Sequence, residues 1–486
     1  MINSQRLRGL IDNHFSSEIA NKNYTVKAIE ANQLLTHNRF DIAFKLIYLE
    51  LIEKNPNLAV CYYKKHLEIL SLGKFTEPGN PNKNSFSKFI QEFEKIFKSF
   101  KQDGFLDEKS LIPLSYDGSI ANGAHRLAAA IYLNKKVKVV KLETPIHDYS
   151  FLFFKNRGLS SNFLDFAATK FVEYARNIHI ALVWPSAVGK EYEIKRIIGN
   201  IVYEKRIYLN NFGAHNLITQ VYDGEEWLGN ISNNFKGARG KLVECFKSKG
   251  PLRVFVFQNE NFDEVNKIKK QIRDIFKIGK HSIHINDSMN EAIKISKLIF
   301  NENGINFLNH GNPSKYAKNY LRINQFKDLL EENSCSSEDA VIDGSTIMAL
   351  YGFRDSKDLD YLSMKKLIQN DKTISIDNHD SEISFHNQSK INLIYNPELN
   401  FYFQGLKFIS LKQISKFKEC RNEPKDKIDC RLIQSSIEGN FLIKHFEKIK
   451  QFFFFESAKF RNRLIMILKF LRIFNLIKFL FKRNKL

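Results

Sequence analysis

Cysteine is scarce in this chain of 486 residues: five, odd in number and scattered as Cys61, Cys245, Cys335, Cys420 and Cys430. No two form a Cys-x-x-Cys pair, which argues against a disulfide framework or a thiolate zinc site and for a reducing compartment. Residues 1–13 hold Arg6, Arg8 and Asp12 and lack an apolar core of signal-peptide length. The C-terminal tail has no uncharged run near the ~20 residues that a membrane-spanning helix needs. No internal period stands out, so a solenoid of repeats is not expected. These absences lead us to expect a cytoplasmic protein.

What is present is basic. Seventy-four Lys and Arg against 53 Asp and Glu give a formal charge of +21, which favours anionic partners such as nucleotides, phosphorylated sugars or acidic lipid. Lysine supplies most of the charge in a chain also rich in Ile, Asn and Phe. That composition partly reflects AT-rich coding and weakens the case for nucleic acid. The length suits two to four domains, and the patterning predicts a multidomain α/β (α+β) protein. Residues 1–75 read as a helical region, with Ala28, Ile29, Leu34 and Leu35, then Ile42, Ala43, Leu46 and Ile47, recurring near helical spacing. Residues 73–85 are dense in turn formers and read as a linker.

Residues 85–165 read as a second unit. It runs through a helix from Ser87 to Phe100, strands around an Asp117-Gly118 turn, a Gly123-Ala-His125-Arg126 corner, an alanine-rich helix and a strand, Lys136–Lys141. At that corner the helix N-terminus offers free N–H groups and His125 and Arg126 add donors, which suits a phosphate. An α/β region of unassigned role, 175–303, follows. Its Pro185–Lys190 segment departs from a P-loop, with Trp184 in place of the first glycine and Glu191 in place of the Mg²⁺-binding Ser or Thr. The cluster Lys236-Gly-Ala-Arg239-Gly-Lys241 is expected to be a basic loop that holds a phosphate through Lys236 and Arg239. His281 to Glu291 contains two histidines and two acids, yet Ser288-x-x-Glu291 reads more simply as a capping box than as a metal site.

The densest chemistry falls within 304–437. Ala340-Val341-Ile342 predicts a short buried strand, and Gly344-Ser345 opens a short helix, where a backbone can approach a phosphate closely. Asp358-Leu-Asp360 then falls in an alternating segment. If that segment is a strand, both carboxylates face one side, and a pair of such oxygens suits Mg²⁺ whose other positions are water and phosphate.

These residues resemble the nucleotidyltransferase superfamily of DNA polymerase β, marked by Gly-Ser, a helix, then Asp-x-Asp. The resemblance implies that Gly344 and Ser345 hold the phosphates of a nucleotide donor and that Asp358 and Asp360 are catalytic and hold Mg²⁺. It also implies a third carboxylate from a later strand; Asp377, Asp380 and Glu382 are candidates, and Glu382 is preferred. Lys407, and Lys425 in the segment Arg421–Asp429, would close the nucleotide pocket. The Gly123–Arg126 unit resembles the ParB/sulfiredoxin-like superfamily, in which such a corner binds nucleotide phosphates through residues here numbered Gly123, His125 and Arg126. The helix-turn-helix that follows this unit in partition proteins is missing, and so is sulfiredoxin's cysteine at the corner.

Residues 440–486 differ from the rest. From 441 on they hold twelve Lys or Arg against two acids. Lys469, Arg472, Lys478 and Lys482 fall on one side of a helical wheel and Met466, Phe470, Ile473, Phe474 and Ile477 on the other. Such a basic amphipathic helix suits the surface of an anionic membrane. The expected function is thus a Mg²⁺-dependent nucleotidyl or phosphorus-group/sugar transferase of bacterial capsule or lipo-oligosaccharide synthesis. It would be peripheral on the inner face of the cytoplasmic membrane and act on a sugar or lipid-linked glycan acceptor. A nucleic-acid-associated protein, disfavoured by the absence of an RNA-binding signature, and a non-catalytic nucleotide-binding scaffold are the alternatives.

Overall fold

The computed structural model describes residues 1–77, 83–369 and 375–423, and beyond these only 426, 427, 429, 430, 433, 434, 460, 464–467 and 469. Lys425 lies outside the described residues, as does nearly all of the expected amphipathic tail. The chain is a mixed α/β protein, as its patterning predicts, with four separate sheets among the described residues. Among the described residues no helix is long and apolar enough to cross a membrane.

The N-terminal region opens with β1 (Ile2–Asn3), α1 (Ser4–Arg8) and β2 (Asn23–Tyr24), followed by β3 (Val26–Glu30) and the helices α2 (Asp41–Leu51), α3 (Pro56–Leu70) and α4 (Phe86–Asp103). Next come β4 (Ile112–Leu114), α5 (Ala124–Tyr132), β5 (Lys136–Lys141), α6 (Phe151–Asn156) and α7 (Ser161–Tyr174). Sequence patterning makes residues 1–75 helical, but Val26–Glu30 is a strand, antiparallel to β5 with Ala28 opposite Lys138. Ala28 and Ile29 mimic helical spacing only because the apolar residues of the next turn-like segment happen to follow them. The strand is fixed by its long-range partner, β5, whose Val137, Val139 and Val140 are buried.

The middle region runs β6 (Ile178–Val183), α8 (Glu191–Ile198), β7 (Ile201–Ile207), α9 (Asn211–Val221), α10 (Lys236–Cys245), β8 (Leu252–Gln258), α11 (Phe262–Phe276), β9 (Ile283–Ile285), α12 (Met289–Ile299) and α13 (Glu302–His310). The order β7-β8-β6-β9, every neighbour antiparallel, is the split βαβ (ferredoxin-like) arrangement with α9 and α10 inserted between its second and third strands. Alternate residues of β8 serve two cores. Val254 and Val256 face one that also contains α2, α7 and α12, while Phe255 and Phe257 meet α8 and α11. With helices on both faces, β8 reads as an unbroken apolar run rather than an alternating one. The first of these cores is continuous from Ala31 to Leu308, so the N-terminal helices, the Gly123 corner and the split sheet share it.

The last region contains α14 (Lys318–Glu332), β10 (Ala340–Asp343), α15 (Ser345–Leu350), β11 (Leu359–Ser363), β12 (Ile376–Asn378), α16 (Lys390–Tyr395), β13 (Asn400–Phe403), β14 (Leu406–Ile409) and α17 (Leu411–Arg421). Its sheet has the order β12-β11-β10-β14-β13 and its own core. A buried charge network ties it to the rest. Glu338, just before β10, meets Lys297 of α12 and Lys407 of β14, both at 2.9 Å, while Lys297 also meets Glu173 of α7 at 2.9 Å. Removing one partner from such a network typically costs about 3–5 kcal/mol, because a charge is left buried without its counterpart.

Candidate functional site

Strand register assembles a row of carboxylates. β10 and β11 are antiparallel with Asp343 opposite Asp360, and β11 and β12 are parallel with Asp360 opposite Asp377. Directly opposed residues share a face of the sheet, and Asp358 lies two residues before Asp360, in the bend that enters β11. Gly344 makes the row so tight. Its backbone sits at φ +67°, and a Cβ there would lie 2.0 Å from Oδ2 of Asp360, so the carboxylate occupies the space a side chain would fill. The neighbouring loop is clamped by hydroxyls: Ser345 Oγ donates to Asp358 Oδ1 at 3.3 Å, and Thr346 Oγ1 donates to the Asp358 carbonyl at 3.2 Å. Ser356 Oγ donates to the same carbonyl.

The row is electrostatically crowded. Burial, together with the nearby charges of Asp358, Asp343 and Asp377, pushes the Asp360 carboxyl up to about 6. Asp343 is fully buried and shifts the other way. Burial disfavours its charge, but hydrogen bonds from His379 Nδ1 at 2.7 Å and His386 Nε2 at 2.9 Å outweigh it and hold the carboxyl well below its usual range. Its second oxygen, Oδ1, has no partner. For His379, burial works against the proton, yet the Asp343 bond wins and raises its pKa.

Among the described residues no three His, Cys, Asp or Glu side chains close up into a metal cluster. The carboxylates available to a cation here are Asp358 and Asp360, with Asp377 in register beside Asp360. That fits Mg²⁺, which takes one or two carboxylates and fills its octahedron with water and phosphate oxygens.

Glu382, the preferred third carboxylate, lies on a 3₁₀ turn, 3.9 Å from Arg421, and Asp380 pairs with Lys390 at 2.8 Å. Strand register instead brings Asp377 beside Asp360. Lys407 is buried at the far end of the sheet from Gly344, where its ammonium donates to the Glu338 and Ile394 carbonyls. Asp426 and Asp429, flanking Lys427, are buried against Lys418. Asp429 also takes a two-point contact from Arg354, 2.8 Å at each oxygen. Arg354 sits in the loop that leads to Asp358, so this contact fixes the loop from behind. Asp343, His379, His386 and Arg354 are absent from the sequence-based set. The one signal for them is an acid inside an otherwise apolar strand.

At the Gly123 corner, α5 does open as expected, with Gly123 as its cap at φ +89°. Arg126 folds back over Gly123 and donates to the Leu111 carbonyl at 3.2 Å. His125 is buried between Phe93 and Tyr63, with Nε2 at 2.7 Å from the Tyr63 hydroxyl, and burial keeps it far below its usual pKa. The corner opens on a cavity of about 510 Å³, whose walls include Arg39, Lys45, Lys83, Arg126 and Arg157. Asp41 neutralises part of that charge, paired with Arg39 at 2.8 Å and Lys45 at 2.9 Å.

Lys236 and Arg239 are not in a loop: Lys236–Cys245 is helix α10, both side chains are exposed, and Ala238, Leu242 and Cys245 form its buried stripe. The two glycines mislead because the spacing of that stripe, not the glycines, decides the local structure. Ser288 caps α12 by accepting from Glu291 N–H at 3.2 Å, the first half of the expected capping box, while the Glu291 carboxylate accepts from Asp287 N–H rather than Ser288 N–H and reaches His284 at 2.7 Å. No protein-family model, no curated protein and no solved structure matches this chain.

Proposed function

We propose that the chain is a Mg²⁺-dependent transferase that moves a nucleotidyl or other phosphorus-containing group from a nucleotide donor. The observation that carries this reading is the seat of Asp360 against Gly344, with Asp358 and Asp377 beside it. A carboxylate packed where a side chain belongs, and pushed up to about 6 by burial and its neighbours, is held in an arrangement that a divalent cation would relieve. The resemblance to the polymerase β superfamily supports the same assignment. When bound, Mg²⁺ supplies charge stabilisation at the entering and leaving oxygens of an in-line displacement.

The chain's own residues do the positioning. Asp358 and Asp360 would hold the cation, and Ser345, already within reach of Asp358, would contact the donor's phosphates. Asp343, pinned by His379 and His386, keeps β10 and the turn after β12 in register and so supports Asp360. Arg354 and Asp429 stabilise the loop before Asp358. The cationic cavity beside Gly123, with Arg126 in its wall, suits a second nucleotide or a phosphorylated acceptor, whereas His125, buried against Tyr63 and Phe93, packs the corner instead. The basic C-terminal segment suits an acceptor at an anionic membrane surface, such as a lipid-linked glycan on the cytoplasmic face.

The test is pyrophosphate release from each of the four common nucleoside triphosphates with a panel of sugar acceptors, and melting temperature with and without Mg²⁺. Nucleotide-dependent stabilisation that needs Mg²⁺ and vanishes in Asp358→Asn/Asp360→Asn is expected. Pyrophosphate release that survives the double substitution, or a Mg²⁺-dependent part of the nucleotide shift that survives it, would refute the assignment.

A further inference from the structure

A cavity of about 880 Å³ lies between the inserted helices of the split sheet and the five-stranded unit, at the end of that sheet opposite Gly344. Lys241, Arg273, Lys280, Lys294 and Lys327 all line it. Among the described residues, none of the five forms an ion pair. Of the five acids on the same wall, three are paired, Asp287 with Lys269 at 3.1 Å, Glu291 with His284 at 2.7 Å, and Glu338 with Lys297 and Lys407, which leaves Asp223 and Glu225 against the five cations. Arg273 Nε is buried without a partner, and Lys241 has only the Lys280 carbonyl, at 3.0 Å, and the Tyr222 ring below it at 5.1 Å.

Five cations gathered on one concavity from α10, α11, α12, α14 and the turn before β9 repel one another. Such a gathering is stable to the extent that an anion offsets it, and a low-dielectric wall strengthens that attraction. The volume is in the range of small-molecule sites, roughly 300–1,000 Å³. One wall is aromatic: Trp227 is 45% exposed and packs edge-on against Tyr222, with ring centroids 5.1 Å apart. Cations for phosphates and a free indole face for a planar ring converge on one ligand class.

We propose that this cavity binds a nucleoside diphosphate or triphosphate, with its phosphates on Lys241, Arg273 and Lys280 and its base against Trp227. The site is separate from the carboxylate row and does not depend on it. The chain has two tryptophans; Trp184 is fully buried in the core, so quenching of the exposed Trp227 reports this cavity.

The experiment is a fluorescence titration of the full chain in EDTA, which silences a Mg²⁺-dependent site, using ADP, UDP, CDP, GDP and inorganic pyrophosphate. Saturable quenching by at least one nucleoside diphosphate, at least tenfold tighter than pyrophosphate, is expected. Lys280→Glu, a substitution at an exposed position, and Arg273→Ala should each weaken it tenfold or more. Asp358→Asn/Asp360→Asn should leave it unchanged. No quenching by any nucleotide, equal affinity for pyrophosphate, quenching that survives Lys280→Glu, or loss in the Asp358/Asp360 variant would each overturn the proposal.

Discussion

Replacing Gly344 by alanine tests the carboxylate row most directly, because its cost has a backbone and a side-chain component that can be measured apart. The backbone at φ +67° and ψ −140° lies in a region open almost only to glycine, worth about 1–3 kcal/mol of strain. The added Cβ would also meet Asp360 at 2.0 Å from Oδ2, 2.8 Å from Cγ and 3.0 Å from Cβ. Rotating the carboxylate away relieves the first contact but not the last, so the β10–β11 pairing must give as well. Together these predict roughly 2–5 kcal/mol of destabilisation. Gly405 in the β13–β14 turn is the control: its φ is +75°, and a Cβ there meets nothing within 4 Å. Gly405→Ala should therefore show only the backbone component, about 1–2 kcal/mol. Urea unfolding of both variants, followed by circular dichroism, gives the comparison. If Gly344→Ala costs no more than Gly405→Ala, Asp360 does not sit where we describe it, and the site loses its central contact.

Three further outcomes are expected. The raised Asp360 pKa means that the folded state holds this proton more tightly than the unfolded chain does. The stability tied to it is complete below the ordinary value of 3.8 and is lost as pH rises through about 6. At ~1.36 kcal/mol per tenfold change in acidity, Asp360→Asn should gain up to about 3 kcal/mol over wild type at pH 7.5 without Mg²⁺ and little at pH 3.5; urea midpoints at the two pH values decide it. Asp343→Asn keeps one oxygen that both His379 and His386 can reach but removes its charge, and should cost about 1.5–3 kcal/mol by the same denaturation assay. Arg354→Ala breaks the two-point contact with buried Asp429 but leaves Lys418 in place; it should cost about 1.5–3 kcal/mol and lower kcat for any Mg²⁺-dependent transfer more than it raises KM.

The members of the site that lie close together along the chain were legible. Val341, Ile342, Gly344, Ser345, Asp358 and Asp360 all belong to one hairpin, so apolar runs and alternation suffice to place them on β10, the capped start of α15, and β11 with the bend before it. Asp377 was not legible as the neighbour of Asp360, because a parallel strand can start at any register after a long excursion. Only register separates it from Asp380 and Glu382. Lys407 shows a related limit: a strand pattern says that a side chain faces inward but not at which end of the sheet it lies. The split βαβ arrangement was hidden for a different reason. β7 was not read from the sequence, α9 and α10 interrupt the motif, and only pairing reveals that β7 and β8 are adjacent.

The continuous core from Ala31 to Leu308 bears on how this chain can be cut and recombined. The linker-like composition around residues 73–85 invites a breakpoint there, and so does the change of character near residue 175. Either cut would split one apolar interior: the first separates α2 from the β6 and β8 side chains, and the second separates both α2 and α7 from them. Fragments made that way would turn a hydrophobic face to water and aggregate. A break after α13 would carry Phe307 away from the interior of the five-stranded unit, where it stacks on Phe401 at 4.7 Å, and would orphan Glu338 from Lys297. Each seam that the composition suggests thus crosses side chains that pack on one another, and a shortened chain would have to keep both interiors whole.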